Sequence, residues 1–188
     1  MKTIKNNQQI KNLQWKALEK NTICKTVVLD VTQQKSQSPE GDIGTYIVMD
    51  APDWVTVIPV IEDDFLMVKQ WRHGAQELSI EFPGGVIDKG ESPDKAARRE
   101  LQEETGYKTN HLEYLGSINP NPAIFSNHFH VFCATELENT LEQHLDNDEF
   151  VTFERIKIEE VIEKMGKPPY IHALMATALQ YYCQKHMN

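Results

Sequence analysis

The chain has 188 residues, a formal net charge of −9 and a hydrophobic fraction of 40%, enough to bury one ordinary core, with or without an added arm. This acidic balance, without a dense Lys/Arg cluster, excludes a nucleic-acid-coating surface; a small phosphorylated ligand stays open, because a bound cation reverses the local field. Cys24, Cys133 and Cys183 form no C-x-x-C pair, the N-terminus lacks an apolar signal core, and no apolar run approaches membrane-spanning length. The expected setting is therefore the cytoplasm, with packing cysteines and with neither membrane nor nucleic acid as partner.

Residues 1–14 are polar and rich in Lys, Asn and Gln, and the first several are expected to be disordered. Trp15 to Val31 reads as strand, Gln33 to Gly44 as a turn-rich connection, and Gly44 to Asp50 as a second strand, together an N-terminal arm or small sheet. Trp54–Ile61 and Phe65–Trp71 flank E-D-D and predict a β-hairpin, and Leu78–Phe82 is a short strand feeding P-G-G. Ser92 as N-cap, Pro93 in the first turn, Asp94 at the positive end of the dipole and Gly106 as terminator predict a helix over 93–105. A strand follows over H-L-E-Y-L-G-S-I, then a loop N-P-N-P-A-I-F-S-N, a buried strand H-F-H-V-F-C-A-T-E-L, an acidic aperiodic loop Leu137–Asp148 and a last strand Glu149–Ile156. Ile158–Met165 predicts a short amphipathic helix, and Pro168-Pro169 opens a final helix to about His186 with Ile171, Leu174, Met175, Ala178 and Leu179 on one stripe.

The chemistry concentrates between Gly84 and Tyr107. On the helix over 93–105, Glu100, Glu103 and Glu104 share one narrow arc, since positions three and four apart are neighbours. Converging carboxylates repel, and a hard divalent cation that prefers oxygen ligands removes the penalty. The Gly84-Gly85 pair leaves backbone free of side chains, so a loop can approach that ion or a phosphate closely. An isolated acidic pair is ordinarily a solvated helix face; the spacing argues otherwise here.

Gly85, Glu91, Arg99, Glu100, Leu101, Glu103, Glu104, Gly106 and Tyr107 satisfy G-x5-E-x7-R-E-U-x-E-E-x-G-U, a chance match of about 10⁻⁸ per start point by average composition. The stretch resembles the Nudix box. The resemblance, like the order of strands around a central helix, implies an α/β fold: an α/β/α sandwich with a mixed sheet over 51–188, plus the N-terminal β arm over 1–50. It further implies hydrolysis of a diphosphate, with Mg²⁺ (Mn²⁺ the alternative) held by Glu100 and Glu104, with Glu103 close behind and the carbonyl of Gly85 as a further ligand. Arg99 would hold the box carboxylates in place, and Glu91 would act either as a ligand through water or as a loop anchor.

The run V-K-Q-W-R-H-G-A-Q-E-L-S-I-E-F-P-G-G is similar to the segment before the box in the ADP-ribose pyrophosphatase-like branch of the family. That likeness implies that Arg72 contacts the diphosphate or terminal sugar and that Glu81 reaches the substrate or metal region, against the alternative of a strand-edge charge. It also assigns a substrate-loop proline to Pro122, with Ala123 where glycine is more usual. In this branch the general base sits on a loop before the last strand, so Glu149 in D-N-D-E-F-V is the candidate base, with Glu103 in reserve. The implied reaction is cleavage of ADP-ribose to AMP and ribose 5-phosphate, with GDP-mannose or another nucleotide sugar as the alternative substrate and a ligand-sensing module without turnover as the alternative class. The family also exchanges N-terminal strands between subunits, which implies a homodimer here.

Overall fold

The computed structural model describes residues 13–140, 143–145 and 150–187. The polar leading segment 1–12 and Glu149 therefore lie outside the described residues. The chain divides into two compact units, one drawn from the residues up to Ala51 with Asn121–Asn127, the other from Pro52–Pro120 with His128 onward.

The first unit is a three-stranded antiparallel sheet of β1 (Lys16–Lys25), β2 (Asp30–Gln37) and β3 (Ile43–Asp50), in that order. The single strand expected over Trp15–Val31 is broken at Thr26, whose hydroxyl donates to Leu29 O at 2.7 Å and accepts from the N–H of Leu29 and Val28. The connection expected from Gln33 is strand as far as Gln37. Its text, T-Q-Q-K-S-Q, is polar, but Thr32 and Ser36 are buried while Gln33 and Lys35 are exposed, and Thr32 Oγ1 donates to Val48 O at 2.9 Å. Alternation rather than hydrophobicity marks this strand. β1 is exposed along its whole length, and Leu18, Ile23, Ile43 and Ile47 face solvent on this unit. Segment 121–127 joins it through a bridge from Met49 to Phe125 and a Ser126 hydroxyl bond to Asp50 at 2.8 Å.

The second unit is built on a seven-stranded mixed sheet. Its main path runs β10 (Thr152–Lys157), β5 (Asp64–Arg72), β4 (Trp54–Ile61), β9 (Phe129–Asn139), β8 (Tyr107–Ile118). Among the described strands of this sheet, only β4 and β9 pair in parallel. The predicted β4–β5 hairpin forms, but the two strands pair at only Val60↔Phe65 and Ile61↔Asp64 before they splay. The wedge between them is filled by β6 (Glu77–Glu81) against β5 and β7 (Gly84–Val86) against β4. Pro83 bridges the two short strands, its carbonyl accepting the Val57 N–H at 2.8 Å and the Thr56 hydroxyl at 3.0 Å. Gly84 is required there: at φ +157° a Cβ would stand 2.7 Å from Thr56 Cα.

Helices cover both faces of this sheet, the α/β/α sandwich expected. Helix α1 (Pro93–Thr105) packs Ala96, Ala97 and Leu101 on Val55, Val57, Phe132 and Ala134. The opposite face is covered by α2 (Ile158–Lys164) and α3 (Ala173–His186), where Phe65 meets Phe82 and Tyr182 edge-on at 5.1 and 4.9 Å. The prolines expected to open α3 precede it; His172 is its N-cap, and Tyr170 between is buried in the core. Of the cysteines, Cys133 is buried in this core, Cys183 half-buried and Cys24 exposed on the small sheet, so packing describes the first rather than the last. Among the described residues no helix is long and apolar enough to cross a membrane.

Candidate active site

Helix α1 begins after Ser92, which holds the N-cap position in extended conformation but makes no capping bond with its side chain. At the other end Gly106 adopts φ 71°, ψ 13°, the left-handed stop that the sequence predicts. The carbonyls left over at the C-terminus are taken up by the chain beyond β9: the His144 N–H donates to Glu103 O at 3.0 Å, the Gln143 amide to Glu104 O at 2.6 Å, and both the N–H and hydroxyl of Thr140 to Gly106 O. The loop expected over Leu137–Asp148 is thus strand to Asn139 and is fastened to α1 through Thr140, Gln143 and His144.

The helix presents its carboxylates to β7. Glu104 is buried, and its Oε2 accepts the Gly84 N–H at 2.9 Å. Glu100, also buried, lies against Gly85, where an added Cβ would stand 2.6 Å from its Oε1. The double glycine thus has two separate uses, clearance for the backbone of β4 at Gly84 and clearance for a carboxylate at Gly85. Glu103 is the outermost of the three, its side chain 37% exposed.

Arg99 ties the set together. Its Nη1 donates to Glu100 Oε1 at 2.8 Å and Glu103 Oε2 at 2.9 Å, its Nε and Nη2 grip Glu91 at 3.2 and 3.0 Å, and Nη2 also reaches Val86 O at 2.9 Å. The hydrogen bonds Arg99 donates to Glu91, opposed by burial and reinforced by Glu100 and Glu103, raise the guanidinium's pKa above its ordinary value. Reciprocally the Arg99 fork holds the Glu91 carboxyl below its usual range. Glu91 in turn accepts the Asp88 N–H and so pins the turn between β7 and α1. Among the described residues no three acidic, histidine or cysteine side chains form a ready-made metal cage, and the Arg99 guanidinium stands among the carboxylates. The donor set is nonetheless all oxygen, and the Cβ-free position at Gly85 opens backbone beside Glu100, the chemistry that suits a hard divalent cation.

A second charged group lies at the far side of the wedge. Arg72 at the end of β5 reaches back along the ladder to form a two-pronged pair with Glu81, Nε to Oε1 at 2.7 Å and Nη2 to Oε2. Glu81 is 1% exposed, so this is no strand-edge charge. Burial opposes its ionisation, yet the Arg72 guanidinium holds the carboxyl below its ordinary value. Three residues separate Glu81 from Gly85, so the wedge strands carry both groups.

The structure thus gathers Gly85, Glu91, Arg99, Glu100, Glu103 and Glu104 into one cluster and joins Arg72 to Glu81. Pro122 falls in the other compact unit. Gln143 and His144, which fasten the loop to α1, carried no sequence signal beyond their place after a strand.

The NUDIX domain family matches residues 52–176. ADP-ribose pyrophosphatase of Bacillus subtilis (strain 168) is 32% identical over 174 residues, 92% of this chain and 94% of the relative. The ADP compounds hydrolase NudE of Escherichia coli (strain K12) is 27% identical over 127 residues, 66% of this chain and 67% of the relative. A crystal structure of an ADP compounds hydrolase superposes with a TM-score of 0.80 at 25% identity, covering 92% of this chain and 94% of its own.

Proposed function

This chain belongs to the NUDIX family and is a hydrolase, and on that premise we propose that it cleaves the diphosphate linkage of a nucleoside diphosphate sugar, ADP-ribose first, to give AMP and ribose 5-phosphate. The observation that carries the reading is the Arg99-clamped set Glu91, Glu100 and Glu103, with Glu104 tied to Gly84, on the same wedge strands that carry the Arg72–Glu81 pair. Glu100, Glu103, Glu104 and the Gly85 carbonyl would hold Mg²⁺, with Mn²⁺ as a substitute. When bound, such an ion polarises the phosphoryl oxygens and lowers the pKa of water at the site.

The protein's own groups do the rest. Arg72, a planar fork suited to anions, orients the diphosphate, and Glu81 fixes the direction of that fork. Arg99 keeps the carboxylates in register, and Glu91 anchors the loop that enters the helix. Glu149 takes the proton from the attacking water, with Glu103 as the alternative base. Pro122 shapes the substrate loop. The exposed apolar residues of the first unit, Leu18, Ile23, Ile43 and Ile47, support a homodimer formed through the N-terminal strands, and three free thiols support a reducing, cytoplasmic setting.

The test is release of a nucleoside monophosphate from a panel comprising ADP-ribose, GDP-mannose and other nucleotide sugars, with and without Mg²⁺. Turnover of ADP-ribose above the others, abolished by chelation, is expected. A preference for GDP-mannose would replace the substrate; no monophosphate from any member would overturn the reading.

A further inference from the structure

Gln70 on β5 and Ser79 on β6 stand directly opposite each other, between the register pairs Val68↔Glu81 and Arg72↔Glu77. Phe65 and Met67 of β5 enter the core shared with α2 and α3, as do Ile80 and Phe82 of the chain through β6. Strand alternation therefore turns Gln70, Arg72, Ser79 and Glu81 to the other face of the sheet, the one on which α1 packs over Val55 and Val57. The outer edge of β6 is closed by the chain beyond α2, where Ile80 donates to Pro169 O at 3.0 Å. A ligand can thus reach these four side chains only from the α1 face.

Arg72 reaches back past the Gln70–Ser79 level to grip Glu81 with Nε and Nη2. The two groups it passes have hydrogen-bonding capacity left over. Ser79 Oγ is fully buried and completes no hydrogen bond, although it lies near enough to Glu81 to favour that carboxylate's charge. Gln70 is half-buried, and among the described residues its amide has no partner. Unmet polar groups facing each other across a ladder are destabilising, and a fold retains them where a ligand completes them.

We propose that Gln70 is a further substrate-binding residue, its amide hydrogen-bonding a hydroxyl of the terminal sugar while Arg72 holds the diphosphate. This rests on the reading of Arg72 given above. An amide both donates and accepts, as a sugar hydroxyl does, whereas a phosphate only accepts and calls for arginine or lysine. Two residues apart on one strand, Gln70 and Arg72 have Cα atoms roughly 7 Å apart, a span that a diphosphate joined to a sugar can bridge.

Gln70→Met keeps the length of the side chain and removes the amide. Calorimetry on the full chain in EDTA is expected to find ADP-ribose bound about tenfold more weakly by the variant, the worth of one hydrogen bond, with ADP, which has no second sugar, within about twofold of wild type. The melting temperature is expected to stay within about 1 °C, because no bond within the chain is lost. Unchanged affinity for ADP-ribose overturns the assignment. So does an equal loss for both ligands, which would put the amide on a phosphate, or a fall of several degrees in melting temperature, which would make it structural. Wild-type binding without hydrolysis in Mg²⁺ would overturn the hydrolytic reading alone; a folded wild type that binds neither ligand would overturn both.

Discussion

Replacing Arg99 with alanine tests whether the guanidinium and a metal ion answer to the same charges. The fork is 28% exposed and holds Glu91 at 17% and Glu100 at 11% exposure. Breaking a fully buried pair from one side costs about 3–5 kcal/mol; with Glu103 more open, the screened loss here is about 2–3 kcal/mol. For a protein of this size that lowers the melting temperature by roughly 5–10 °C without metal. The orphaned carboxylates should then bind Mg²⁺ more tightly than in the wild type, where the ion must first displace Arg99. At about a hundredfold its dissociation constant a ligand returns about 2.7 kcal/mol, so Mg²⁺ should restore most of the lost stability. The assay is a thermal melt of both proteins across a Mg²⁺ titration. A metal-free variant melting within about 1 °C of wild type, or equal Mg²⁺ responses in the two proteins, would refute the reasoning.

Glu104→Gln is expected to lower kcat by several orders of magnitude with little change in melting temperature, since the amide oxygen can still accept the Gly84 N–H; near-wild-type rates would remove Glu104 from the ligand set. Gly85→Ala forces the end of a flexible carboxylate aside rather than backbone, so kcat should fall about a hundredfold while stability changes by less than about 1 kcal/mol, as initial rates and melts will show. If Glu149 is the base, Glu149→Gln lowers kcat strongly at unchanged Mg²⁺ affinity, whereas Glu103→Gln weakens the metal as well. The opposite pattern in metal titrations of the rates puts the base inside the box. Light scattering should find the full chain dimeric and a chain beginning near Asp50 monomeric; a fully active full-length monomer would end the dimer proposal.

Helix α1 was legible because its punctuation is local: Pro93, Asp94 and Gly106 act within a turn of where they stand. The strand Asp30–Gln37 was not, because its burial is carried by the polar Thr32 and Ser36, and the Thr32 hydroxyl finds Val48 O only once β3 lies alongside. In the site, the Arg99–Glu103 pair could be read from a spacing of four, and the box pattern supplied Glu91. That Arg99 would stand among the carboxylates as their counter-charge, and also reach Val86 O, follows only from the turn that brings β7 to the helix. Arg72 and Glu81 were both picked out, but their pairing depends on the β5–β6 register.

The segment beyond α2 covers the open side of β6, where the Ile80 N–H donates to Pro169 O and the Phe82 N–H to Met175 Sδ. A chain cut before Pro168 would keep every strand of the seven-stranded sheet and every carboxylate of the box, yet the Ile80 and Phe82 N–H groups would face solvent beside Leu78, already half exposed. An uncovered strand of that kind is a template for β-pairing with another molecule. Such a fragment would be lost to aggregation before any defect in its chemistry could be measured.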